Sequence, residues 1–184
     1  MSRLVVYREE SPGVNELDTS DGRAMAAALA KIGVRFERWA ASQPLTPQMD
    51  DQAVMTAYRS DIERLQREGG YRSVDVVRCL PDNPKRQELR RKFLDEHTHA
   101  EDEVRFFVEG AGVFYLRGGG KVHVTRCERG DLISVPAGTR HWFDMGPAPH
   151  FTAIRLFTNP DGWVAQFTGD PIAQKYPSFE QVAA

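Results

Sequence analysis

From Asp95 onward the chain is cut into short apolar runs by turn residues, and this spacing restricts the fold more than any other feature. The runs Val104–Val108, Gly112–Leu116, Lys121–Thr125, Leu132–Val135, His141–Phe143 and Phe151–Phe157 are separated by Gly110, Gly118-Gly119-Gly120, Gly130-Asp131 and Pro136-Ala137-Gly138. Short strands at close intervals with glycine turns describe an antiparallel sandwich or barrel.

The first half follows different rules. Arg3–Tyr7, Val34–Trp39 and Tyr71–Leu80 have strand patterns. A helix is expected over Gly22–Ile32, with Ser20 and Asp21 as caps and Met25, Ala28, Leu29 and Ile32 at helical spacing. Gly33 then sits where a helix-ending glycine belongs. A second helix should open at Thr46-Pro47, carry Val54, Tyr58, Ile62 and Leu65 on one face, and stop at Gly69-Gly70. Asn83-Pro84 caps a third, KRQELRRKFL, with Leu89 and Phe93 facing inward and the basic residues on a solvated face. The expectation is a mainly β fold with α: an antiparallel β-barrel with helices packed at one end. It forms a single domain, 1–184, with an α-rich portion (1–94), a barrel core (95–160) and a tail (161–184).

At 184 residues the chain can bury a sizeable core without disulfide staples. Its two cysteines, Cys79 and Cys127, are not in a CxxC pair, which fits a reducing compartment. A net charge of −2 offers nothing to nucleic acid or an anionic membrane. The N-terminus has no signal-peptide pattern and no run is long enough to span a bilayer. A cytoplasmic protein is therefore expected.

The chemistry concentrates in EHTHAEDEVRFFVEGAG, residues 96–112. Residues two apart in a strand point to one side, so His97 and His99 project together. A turn through Ala100-Glu101-Asp102 then starts a new strand at Glu103, antiparallel to the first, and spares the site a second inward carboxylate at Glu101. Downstream, GDLISVPAGTRHWF supplies His141 after a Pro-x-Gly turn. Three imidazoles and one carboxylate make a mixed N/O set suited to divalent first-row metals. His123, between two valines, is expected on the solvent side of its strand, and His150 in a surface loop.

The same parity places Arg105 and Phe107 beside Glu103, Phe143 beside His141, and Phe151, Ala153, Arg155 and Phe157 on one interior face. Arginines inside an aromatic-lined barrel are costly unless an anion pairs with them. A substrate could be that anion, or a nearby carboxylate such as Asp102 or Glu96; the residues leave both open.

The pattern HxHxxxE followed by Gly110, then Gly130, Pro136-x-Gly138 and His141, resembles the two-part cupin motif, with Met145 where asparagine often stands. More narrowly, HTHAEDEVRFFVEGAGVFYL, GDLISVPAGTRHWFDMG and FTAIRLFTNPDGWVAQFTGD resemble bacterial acireductone dioxygenases. The resemblance implies a cupin barrel (double-stranded β-helix) and one Fe²⁺ or Ni²⁺ per chain on His97, His99, Glu103 and His141. It implies substrate contacts from Arg105 and Arg155, an alkyl-tail pocket of Phe93, Phe143 and Trp163, and proton transfer by Glu96 or Asp102. The expected reaction belongs to methionine salvage, cleaving 1,2-dihydroxy-3-keto-5-methylthiopentene with O₂. With Fe²⁺ it yields 4-methylthio-2-oxobutanoate and formate; with Ni²⁺, methylthiopropionate, formate and CO. The substrate and O₂ are the expected partners, and the chain is expected to be a monomer. The competing readings are another metal-cupin dioxygenase or isomerase acting on a small oxygen-rich anion, and a metal-dependent small-molecule sensor.

Overall fold

The computed structural model describes residues 1–159, 161 and 164–183. Strand β1 (Arg3–Arg8) pairs antiparallel with β2 (Ser11–Thr19), a strand that the sequence pattern does not reveal because SPGVNELDT is largely exposed and does not alternate. Helix α1 (Gly22–Ala30) begins where expected, with the Asp21 carboxylate accepting from the Ala24 N–H at 2.7 Å. It is followed by β3 (Arg35–Arg38).

The helix expected from Thr46 is two helices, α2 (Asp51–Ala57) and α3 (Arg59–Gly69). Thr46-Pro47 forms only a turn, and Asp50 takes the capping role by accepting from Ala53 N–H at 2.8 Å. At the break, Tyr58 donates its hydroxyl to the Gln43 carbonyl at 3.0 Å. Next come β4 (Ser73–Cys79), α4 (Arg86–Leu94), β5 (His97–Thr98) and the 16-residue β6 (Glu103–Gly118). The chain continues through β7 (Lys121–Glu128), β8 (Asp131–Val135), β9 (Arg140–Asp144), β10 (Phe151–Phe157) and β11 (Gln166–Phe167). A 3₁₀ turn at Pro171–Lys175 and α5 (Phe179–Ala183) close it.

Two antiparallel walls share β6. Its first half lies in the order β4-β10-β6-β8-β3, its second in β11-β5-β9-β6-β7-β1-β2. Gly110 does not end this strand, as the sequence pattern implied, but bends it from one wall into the other. The bend needs glycine: φ is +65°, and a Cβ here would lie 1.7 Å from the His150 carbonyl oxygen. Opposite it, Thr152 pairs with Glu109 and Ala153 with Phe107, so Val108 is an extra residue in the ladder. A bulge shifts side-chain parity. Before it, Glu103, Arg105 and Phe107 face inward; after it, Phe114 and Leu116 do.

The inner space holds Phe107, Phe114, Phe143 and Phe151, with contacting ring centroids 5.0–6.4 Å apart. Each buried ring contributes about 1.5–3 kcal/mol by leaving water. Met145 lies in this core as well. Helices α2 and α3 cover the outer face of the first wall, setting Val54, Tyr58, Ile62 and Leu65 on Val104, Phe106 and Ile154. The C-terminal segment covers the outer face of the second with Ile172, Tyr176 and Val182.

Two expectations change here. His123 is buried: Val122 and Val124 face the outer cover, and His123 points to the inner side in register with Leu116 and Val6. Its neighbours were correctly read as buried, but the opposite side of that strand is core rather than water. The basic face of α4 is not wholly solvated either. Leu89 and Phe93 pack inward, yet Arg90 reaches Asp144 at 2.7 Å and Glu180 at 3.0 Å.

Candidate metal centre

The turn 100–102 exists, but β6 does not pair with β5 as the sequence implied. The two strands are separated by β9, with His97 directly opposite His141 and His141 directly opposite Leu116. Glu103 enters from the other wall, beside Val135 on β8. The Pro136-Ala137-Gly138 turn joins the two halves of the site. Its Gly138 N–H donates to the His99 carbonyl at 2.9 Å, and its Ala137 N–H to Asp102 Oδ1 at 2.8 Å.

Ligand atoms of His97, His99 and His141 all lie within 4.8 Å of one another. Glu103 Oε2 is 3.5 Å from His99 Nε2 and 3.4 Å from His141 Nε2. Each Nδ1 is held by a backbone carbonyl: His97 by Asp95 at 2.7 Å, His99 by Val164 at 3.1 Å, and His141 by Thr139 at 2.8 Å. A carbonyl can only accept, so each Nδ1 carries the proton and each Nε2 keeps a lone pair.

Electrostatics hold the donors in ligating form. Burial pushes His97 down to about 4 and also lowers His99. Burial pushes the Glu103 carboxyl up, but the Arg105 guanidinium holds it well below the usual range. Arg105 Nε donates to Glu103 Oε1 at 2.6 Å, leaving Oε2 turned toward the Nε2 atoms of His99 and His141. Two buried acceptors here, Glu103 Oε2 and His141 Nε2, have no hydrogen-bond partner among the described residues. Unsatisfied buried acceptors are costly. A cation between them would satisfy both, so three neutral imidazoles and one carboxylate fit a divalent metal.

Arg105 and Arg155 are directly opposed on β6 and β10. Arg105 is fully buried over Phe143 at 4.6 Å, Phe114 at 4.9 Å and Phe93 at 5.9 Å, and its Nη1 has no partner among the described residues. Arg155 is bonded to Asp75 at 2.9 and 2.7 Å rather than to Asp102 or Glu96. Phe93 and Phe143 meet edge to face at 6.4 Å. Trp163 lies outside the described residues. Asp102 is exposed and bonded to the Ala137 N–H. Glu96 is buried away from the histidines, its carboxylate engaged by Arg117 at 3.1 and 3.3 Å and by the Thr168 hydroxyl at 2.8 Å.

Residues 3–165 match the model of the ARD/ARD′ family. The chain is 61% identical over 180 residues to an acireductone dioxygenase of Parvibaculum lavamentivorans, an alignment covering 98% of each protein. It is 58% identical over 179 residues to one of Stenotrophomonas maltophilia, covering 97% of each. The chain belongs to the acireductone dioxygenase family. A solved Bacillus anthracis acireductone dioxygenase with a cadmium ion in its active centre superposes with a TM-score of 0.79 at 30% identity, covering 91% of this chain and 98% of that one. The shared barrel is the cupin fold, and membership of this family makes the chain an oxidoreductase. Among the described residues no helix is long and apolar enough to cross a membrane.

The structure adds site neighbours that sequence reasoning did not single out as such. Phe114 lies 6.3 Å from His141 and Phe157 6.1 Å from His99. The Phe157 signal was present in the parity of β10. Asp75, Val164 and Phe167, whose ring is 5.8 Å from His97, come from distant segments, and no local pattern could have placed them.

Proposed function

We propose that this chain binds one Fe²⁺ or Ni²⁺ through His97, His99, Glu103 and His141 and cleaves 1,2-dihydroxy-3-keto-5-methylthiopentene with O₂. The observation that carries the reading is the pair of buried acceptors without a partner among the described residues, Glu103 Oε2 and His141 Nε2, gathered with the imidazoles of His97 and His99. Bound there, the metal supplies Lewis acidity and a template for an oxygen-rich anion.

The protein's own groups do the rest. Arg105 has two tasks: Nε fixes Glu103 so that one oxygen remains free, and Nη1 offers an unused donor to a substrate oxygen. Arg155 adds positive charge from the opposing strand, with Asp75 orienting its guanidinium. Phe93 and Phe143 provide an apolar wall for the methylthioalkyl tail. Of the two carboxylates considered for proton transfer, Asp102 takes the role because it remains exposed in the turn between two ligands, whereas Glu96 is committed to Arg117 and Thr168.

With Fe²⁺ the products are 4-methylthio-2-oxobutanoate and formate; with Ni²⁺, methylthiopropionate, formate and CO. The test is to load metal-free protein with each ion separately, add the reductone anaerobically, admit O₂, and measure products. The reading predicts O₂-dependent loss of the reductone, with CO only from the nickel form. No O₂ uptake with either ion would overturn it.

A further inference from the structure

Arg117 stands at the far end of β6 from Glu103 and faces the outside of the barrel, opposite Arg140 on β9. One guanidinium there joins three carboxylates from three parts of the chain. Nη1 donates to Glu96 at 3.1 and 3.3 Å and to Asp170 Oδ2 at 2.9 Å, and Nη2 to Glu9. Glu96 immediately precedes His97. Asp170 ends the segment that runs back past the metal centre.

That segment touches the centre at several points. Val164 O holds His99 Nδ1, and Phe167 pairs with His97 in the ladder while its ring lies 5.8 Å from the imidazole. Thr168 closes the link twice, its N–H donating to the Glu96 carbonyl at 3.0 Å and its hydroxyl to the Glu96 carboxylate at 2.8 Å. Apart from these contacts the strap is weakly held: Val164 and Phe167 are large apolar residues left 47% and 52% exposed, so burial does little to fix it. Polar anchors must set its position instead.

We infer that Arg117 is a positioning residue of the metal centre. By gripping Glu96 and Asp170 together it fixes both the strand carrying His97 and the strap whose carbonyl selects the Nδ1–H form of His99. Neither Arg117 nor Glu96 touches the metal or the substrate. Partners that orient metal-bound imidazoles typically alter affinity by about 10–100-fold when removed. The inference rests on the ligand set proposed above, and the experiment separates the two.

The experiment uses the full chain and Ni²⁺, which needs no turnover. Release of Ni²⁺ to a chromogenic chelator is timed for wild type, Arg117→Ala, Glu96→Gln, Asp170→Asn, His99→Ala and the remote control Arg3→Ala. In parallel, ¹⁵N NMR of the metal-free protein reports the tautomer of His99. Release about 10–100-fold faster in Arg117→Ala, a smaller acceleration in Asp170→Asn, a mixed His99 tautomer in both, and wild-type behaviour in Arg3→Ala support the role. Wild-type release and tautomer in folded Arg117→Ala or Asp170→Asn overturn it. Should Arg117→Ala fail to fold, Asp170→Asn and Glu96→Gln decide the matter alone. Wild-type Ni²⁺ retention by His99→Ala would instead refute the ligand set.

Discussion

Strand β9 carries a buried polar cluster on each face, and the two are built to opposite ends. Inward, His141 meets His97, His99 and Glu103, and two of the buried acceptors have no partner among the described residues. Outward, three residues along, Asp144 accepts four hydrogen bonds: from Arg90 Nε at 2.7 Å, Arg90 Nη2 at 3.0 Å, and the backbone N–H groups of Gly146 and Phe179, both at 2.9 Å. A cavity of about 600 Å³ opens beside the outer cluster, lined in part by Arg90, Tyr115, Trp142 and Tyr176. Its volume alone would suggest a binding site. Yet Asp144 already has a full set of donors, and the Tyr115 hydroxyl is used on the Pro177 carbonyl at 2.6 Å. The outer cluster docks the C-terminal segment; the inner one holds acceptors that a cation would satisfy. Unmet valence distinguishes a reactive site from structural cement better than volume does.

Substitutions can break this contrast. The largest effect should come from His99→Ala. Elemental analysis is expected to find no metal retained after desalting, because loss of a ligand exceeds the roughly 100-fold effect of outer partners. A full equivalent of metal would erase the distinction. Asp144→Ala should cost about 1–3 kcal/mol in urea unfolding by leaving the Gly146 and Phe179 N–H groups without their acceptor, Arg90 keeping Glu180, while Ni²⁺ affinity in the folded protein stays at the wild-type value. An affinity loss matching that of His99→Ala would show that the two clusters are one system.

Arg155→Ala sharpens the comparison within the inner face. Loss of a charged hydrogen bond to substrate, worth about 1.5–3 kcal/mol, should raise KM for the reductone at least ~10-fold with metal content unchanged. An unchanged KM would assign Arg155 to Asp75 alone. Least affected is Arg3→Ala, which removes an exposed pair with Asp18. Thermal unfolding should register no more than about 1 kcal/mol, and metal release should not change.

Legibility of the site followed the range of the interactions involved. HxHxxxE and the Pro-x-Gly turn lie within short segments whose geometry is local, so the period of two in strands was enough to group His97 with His99 and Arg105 with Glu103. The same rule failed at His123, because parity says which side a residue faces and not what covers that side. It also failed to show that β6 crosses between walls at Gly110, where a single extra residue changes the inward set.

The sequence by itself determined which side chains could ligate, that the barrel would be antiparallel, and that arginines and phenylalanines would share its interior. Those properties arise from chirality, pleat and turn chemistry over a few residues. Only the tertiary structure decided which of the carboxylates were committed and which free. Asp75 closes on Arg155 from 80 residues away, and Glu96 is taken by an arginine 21 residues downstream and a threonine 72 residues downstream. Such pairings depend on which strands meet, and strand order is fixed by the burial of both walls together rather than by any one segment.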